Sequence, residues 1–163
     1  MGTQALNLFI VDDNKMVVTG LKNYLKDKFG KGLNISTFAT GEECLNNLDE
    51  DTNVVILDYF LEDQNGNEVL KSIKKMNPGT EVIMLSSNEE VGVIIESFRL
   101  GAKDFVVKDI GAWEKIIHLV NRIFTAPIHF VVREFKVTKY VAIFLLTFFT
   151  MLVVVVLFLT FLR

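Results

Sequence analysis

Phe9-Ile10-Val11-Asp12-Asp13 is the stretch that decides the fold, an apolar, β-rich run that ends abruptly in two adjacent acids. A run so short and so apolar reads as a strand buried on both faces, with its carboxylates at the carboxyl end. The pattern recurs downstream. Val55-Ile56-Leu57-Asp58 ends in a third acid, Leu85-Ser86-Ser87 ends in hydroxyls, and Asp104–Val107 runs into Lys108. Strands are expected at Leu6–Val11, Leu33–Phe38, Val54–Leu57, Glu81–Leu85 and Asp104–Val107. Helical periodicity follows each one, over about Lys15–Phe29, Glu42–Leu48, Asn67–Met76, Glu89–Leu100 and Ala112–Phe124. Strict alternation of this kind predicts an α/β domain over residues 1–124, a (βα)5 doubly wound parallel sheet with helices on both faces. Ligands in such sheets sit at the carboxyl ends of the strands.

Local signals support the helix ends. Thr40-x-x-Glu43 and Ser87-x-x-Glu90 match the capping box, in which side chains satisfy free backbone N–H groups. Gly30, Gly101 and the Asn77-Pro78-Gly79 turn stop three helices. Val17, Val18, Leu21, Leu25 and Phe29 fall at helical spacing and form a core-facing stripe with no chemistry of its own.

Charge is distributed unevenly. Residues 1–124 hold 13 basic and 19 acidic side chains, net −6, and the remainder holds 4 basic and 1 acidic. An acidic domain lacks the clustered cations that phosphate backbones require, so nucleic acid is not an expected partner. The single Cys44 excludes an intramolecular disulfide and a Cys-based zinc site. His118 and His129 have no ligand or nucleophile partner and read as ordinary helix and linker positions.

From Tyr140 to Leu162 there is no charge, no Gly and no Pro, and Lys139 and Arg163 bracket the run. At 1.5 Å per residue it spans roughly 34 Å, enough to cross a hydrocarbon core of about 30 Å. Residues 140–162 are therefore expected to form a single transmembrane helix, and residues 125–139 a juxtamembrane connector. Arg133, Lys136 and Lys139 precede the helix and only Arg163 follows it. The positive-inside tendency then leaves the N-terminal domain in the cytoplasm, single-pass on the cytoplasmic (inner) membrane. No basic leader with a long apolar core opens the chain, so no export signal is expected there.

If the first and third strands are neighbours, Asp12, Asp13 and Asp58 converge at one sheet edge. Three carboxylates within a few ångströms repel, and a hard cation relieves that repulsion. Mg²⁺ suits oxygen ligands and usually keeps room for a phosphate oxygen. Ser86 adds a hydroxyl at the same rim, and Lys108 a compact cation suited to a phosphoryl oxygen.

The ordered set Asp12-Asp13, Asp58, Ser86, Phe105 and Lys108 resembles the receiver domain of two-component response regulators, over about residues 5–124. The resemblance implies a flavodoxin-like fold with Asp58 as phosphoacceptor. It implies Asp13, Asp58 and the Phe60 carbonyl as Mg²⁺ ligands, with Asp12 holding the metal's water. Ser86 resembles the switch hydroxyl, Phe105 the aromatic that follows it, and Lys108 the phosphoryl partner. Gly66 stands where the family usually has Gly, and Phe60 and Asn88, expected to flank the path of attacking water, are the candidates for tuning phosphate lifetime. Two positions depart from the pattern: Glu62 and Asp109 each stand where the family often has Pro.

The implied function is that of a membrane-anchored, stand-alone receiver, a phosphoacceptor that catalyses only its own phosphorylation and dephosphorylation. Its donor would be a histidine kinase or histidine phosphotransfer protein. Residues 125–139 are too few for an output domain, so the signal is expected to pass by contact with a downstream protein. The surface near Val91, Ile95, Phe98 and Phe105 or the membrane helix itself would carry it. The alternative is a membrane adaptor that uses a receiver fold without phosphorylation. An aspartyl-nucleophile phosphatase fits poorly, because Phe60 stands where that chemistry wants a second Asp.

Overall fold

Unbroken runs of Val, Ile and Leu favour extended backbone buried on both sides, and three of the expected strands have that character. In the computed structural model, which describes residues 5–87, 89–125 and 139–161, these three form the centre of one sheet. β1 (Leu6–Val11), β3 (Thr52–Asp58) and β4 (Glu81–Ser86) are almost wholly buried. β2 (Leu33–Phe38) and β5 (Asp104–Val107) form its edges. The order is β2-β1-β3-β4-β5, with every pairing parallel. The doubly wound α/β sheet expected from the sequence is present.

Four helices join these strands, α1 (Lys15–Phe29), α2 (Gly41–Asn47), α3 (Gly66–Met76) and α4 (Val91–Arg99), and α5 (Ala112–Thr125) follows the last. On one face α2 packs on α3 and α3 on α4, over a core that includes Phe9, Val11, Val55, Leu57, Met84 and Phe105. Ser97 Oγ of α4 donates to Asn67 Oδ1 of α3 at 2.8 Å, a buried polar tie between those helices. The alternate residues Leu8, Ile10, Ile56, Ile83, Leu85 and Val106 are also buried and point to the other face. The right-handed crossover from β1 to β2 places α1 there, and α5 lies beside it, with Tyr24 and Trp113 meeting at ring centroids 5.7 Å apart. Leu21 and Leu25 of the α1 stripe are fully buried, and Val17, Val18 and Phe29 half-buried.

Element ends differ from expectation where polar contacts intervene. β3 begins at Thr52 because that residue is buried and tied down, donating to Asp49 Oδ1 and accepting from Thr80 Oγ1 at its carbonyl. Thr40 caps α2 by accepting the Glu43 amide at 3.1 Å, but Glu43 reaches the Ala39 amide rather than that of Thr40. Ser87 does not cap α4. That helix starts at Val91 with Glu90 as N-cap in extended backbone (φ −61°, ψ 122°), leaving Ser87 too far ahead. Gly30 and Gly101 close their helices at positive φ, 53° and 100°.

Cys44 lies at zero exposure in the α2–α3 core, and burial pushes its thiol up to about 12. The thiolate is the reactive form. We expect no modification by a thiol reagent at neutral pH in the folded protein and complete modification in denaturant, read by mass spectrometry. Rapid native labelling would contradict this packing.

A sixth helix, α6 (Lys139–Phe161), is 23 residues long. Its Ile143–Phe161 stretch has a mean hydropathy of 2.8, long and apolar enough to cross a membrane. Thr147, Thr150 and Thr160 each donate to a carbonyl of the preceding turn, so their hydroxyls need no outside partner. Residues 5–121 form one compact unit, and α6 belongs to the other. Most of the expected connector, including His129, Arg133 and Lys136, lies outside the described residues, as do Leu162 and Arg163.

Candidate functional site

Strand order reverses at β1 and β3, which opens a crevice at their carboxyl ends. The register sets Val11 beside Leu57, so Asp12 and Asp13 emerge next to Asp58, the last residue of β3. One carboxylate oxygen from each of the three lies within 4.8 Å of the other two. Asp12 and Asp58 are only 2% and 3% exposed, and Asp13 is half-buried.

Helix capping does not account for these acids. Asn14 caps α1, accepting the amides of Met16 and Val17 at 3.0 and 3.4 Å. Asp12 Oδ1 accepts the Asn14 amide at 2.9 Å and turns the chain into the helix, which leaves Oδ2 to face the crevice. Asp58 Oδ1 accepts the Phe60 amide at 3.3 Å.

Lys108 enters from β5. Its amide donates to the Ser86 carbonyl at 2.8 Å, and its Nζ lies 2.8 Å from both Asp12 Oδ2 and Asp58 Oδ2. Asp109, standing where Pro was the expected type, leaves Lys108 in place, and no cis peptide occurs among the described residues. Burial raises the Asp58 carboxyl above its ordinary range, against the contact and charge of Lys108, and Asp12 adds to the rise. Burial alone would lower Lys108, but its contacts with Asp12 and Asp58 prevail and raise it. One firmly cationic lysine thus faces three acids. This all-oxygen set, with three carboxylates facing one cation, fits a hard dication such as Mg²⁺.

The loop after β3 is held at both ends. Gly66 donates its amide to the Tyr59 carbonyl at 2.8 Å, and Phe60 pairs with Asn65 in an antiparallel bridge. A Cβ at Gly66 would come within 2.4 Å of the Asp58 carbonyl oxygen, so only glycine permits this approach. Asp63, at the tip, accepts the amides of Gly41 and Glu42 on α2 at 3.1 Å each. Burial would raise its carboxyl, but these amides and Gln64 outweigh it and hold it below the usual range.

Ser86 is fully buried at the end of β4, one residue beyond the Leu85 that pairs with Asp58. Phe105 is 5% exposed and packed in the core, so its ring is already inside. Phe60 is half exposed, its ring edge-on to Tyr59. Asn88 lies outside the described residues. The fold therefore gathers Asp12, Asp13, Asp58 and Lys108 directly, sets Ser86 at the same rim, and leaves Phe105 in the core. Asp63 carries no signal in the sequence, because its partners are set by the loop's path.

Residues 8–121 match the response regulator receiver domain. The chain is 34% identical over 104 residues to the chemotaxis protein CheY of Listeria monocytogenes, covering 63% of this chain and 86% of that protein. It is 26% identical over 115 residues to the response regulator SaeR of Staphylococcus aureus, 71% of this chain but only 49% of SaeR. Among solved structures, the BeF3-activated receiver domain of DrrB superposes with a TM-score of 0.64 at 31% identity, covering 74% of this chain and 97% of that one. On its fold, its acidic crevice and these matches, the chain belongs to the receiver-domain family of two-component response regulators.

Proposed function

We propose that this chain is a membrane-anchored receiver that accepts a phosphoryl group on Asp58 and signals by protein contact. The supporting observation is Lys108 Nζ held 2.8 Å from both Asp12 and Asp58 in a crevice of three acids. In this reading Asp13, Asp58 and the Phe60 carbonyl would hold Mg²⁺, and Asp12 would hold its water. The ion, when bound, offsets charge on the phosphoryl oxygens.

A carboxylate oxygen of Asp58 attacks phosphorus and forms an acyl phosphate. The P–N bond of a phosphohistidine donor breaks, and its electron pair leaves with the imidazole. Lys108 is freed to follow the transferred oxygens, and Ser86 moves toward them. Because Phe105 is already buried, the response is carried by Ser86 and α4 rather than by an inward swing of that ring. Val91, Ile95 and Phe98 expose an apolar α4 surface for a downstream protein. The donor is a histidine kinase or histidine phosphotransfer protein. Residues 140–162 form the membrane anchor, 125–139 the connector, and residues 1–124 lie in the cytoplasm.

The test uses the full chain. Expressed in cells, it should stay with membranes through an alkaline carbonate wash, and its receiver should be shielded from external protease. In detergent micelles with Mg²⁺ and a small acyl-phosphate donor, it should gain one hydroxylamine-labile phosphoryl group on the Asp58 peptide. Membrane retention without any phosphoryl uptake would favour the phosphorylation-independent adaptor instead.

A further inference from the structure

The loop between β3 and α3 carries the Phe60 carbonyl on one limb and has no regular structure at its tip. Its base is closed by the Tyr59–Gly66 hydrogen bond and the Phe60–Asn65 bridge. The tip, Leu61–Gln64, is made of residues with free φ, and Glu62 there lacks the ring that would restrict it. An unrestrained tip would let the Phe60 limb move.

The restraint comes from another element. Asp63 Oδ1 accepts the Gly41 amide and Oδ2 the Glu42 amide, both at 3.1 Å, and Gln64 Nε2 steadies Oδ2 at 3.1 Å. These are the first two amides of α2, which have no intrahelical acceptor. The side chain of Thr40, the ordinary N-cap, takes only the Glu43 amide. The helix end is thus shared between its own cap and a residue 22 positions away. That helix is a firm post, because Cys44 is buried in the core.

We infer that Asp63 is a positioning residue, a two-pronged clamp between α2 and the β3–α3 loop that holds the Phe60 carbonyl in place for the cation. The inference rests on the Mg²⁺ reading of the site proposed above. A mere helix cap would affect stability alone, whereas a clamp affects the cation as well.

The experiment compares the full chain in micelles with Asp63→Ala, Asp63→Asn and Thr40→Ala. Thr40→Ala weakens the same helix end without touching the loop. Mg²⁺ affinity is read by NMR titration, melting temperature without metal by circular dichroism, and amide exchange at Phe60 and Leu61 in metal-free buffer. We expect Asp63→Ala to weaken Mg²⁺ binding about tenfold, the lower end of what losing a supporting partner of a ligand costs. It should also speed exchange at Phe60 and Leu61. Asp63→Asn, which keeps one acceptor, should recover part of the affinity. Thr40→Ala should lower the melting temperature and leave Mg²⁺ affinity unchanged. The clamp alone is overturned if wild type binds Mg²⁺ and Asp63→Ala binds it within about twofold. Wild type that binds no Mg²⁺ overturns the clamp together with the proposed site.

Discussion

Asp58→Asn is expected to abolish phosphoryl uptake and, in metal-free buffer, to raise the melting temperature by a few degrees. The first effect follows because the amide is no nucleophile and no other carboxylate in the crevice is placed like Asp58 at the end of β3. The second follows from charge. Asp12, Asp13 and Asp58 face one lysine, and burial already raises the Asp58 carboxyl. Removing that charge leaves Lys108 still paired with Asp12 at 2.8 Å, so no buried cation is stranded. A gain of about 1 kcal/mol corresponds to a few degrees in a domain of this size.

Mg²⁺ should reverse the order. A cation at 100 times its Kd adds about 2.7 kcal/mol to a protein that binds it only when folded. Wild type receives that in full, and Asp58→Asn, short of one carboxylate, does not. Thermal melts with and without Mg²⁺ should therefore cross. Parallel shifts in the two proteins would mean that Asp58 is not a ligand, and labelling that persists in Asp58→Asn would place the acceptor elsewhere.

Gly66→Ala is expected to destabilise the domain by roughly 3 kcal/mol, the upper end of overpacking costs, and to weaken Mg²⁺ binding with it. The new Cβ would meet the Asp58 carbonyl oxygen at 2.4 Å, Tyr59 Cα at 2.7 Å and the Tyr59 oxygen at 3.1 Å. All three are backbone atoms, so no side chain can rotate away. Either α3 withdraws or the backbone at the acceptor shifts, and both disturb the crevice. Denaturant melts and Mg²⁺ titration check this. A stability within about 0.5 kcal/mol of wild type, the range of an ordinary surface change, would show that the approach is looser than the structure has it.

Both predictions depend on residues whose meaning is unequally visible in the sequence. Asp12, Asp13 and Asp58 are legible because a polar residue that ends a buried apolar run has to sit at the sheet's edge. The limits of β1, α1, β2 and β5 are legible for a similar reason, since hydrophobic period and turn residues change abruptly there. Thr52 and Asn53 hid the start of β3, because their polarity looks like loop until Thr80 and Asp49 satisfy the threonine. Ser87 looked like a cap for α4, yet the extended backbone at Glu90 delays that helix.

Sequence alone determined that the domain is a parallel α/β sheet with acids, a hydroxyl and a lysine at its carboxyl rim, followed by an apolar run long enough to cross a membrane. These are properties of local pattern, written in consecutive residues. Tertiary structure decided that Lys108 bridges Asp12 and Asp58, that Phe105 lies inside, and that Asp63 ties its loop to α2. Each of those depends on how distant segments approach one another, and a contact between residues 22 to 96 positions apart leaves no period in the chain to read.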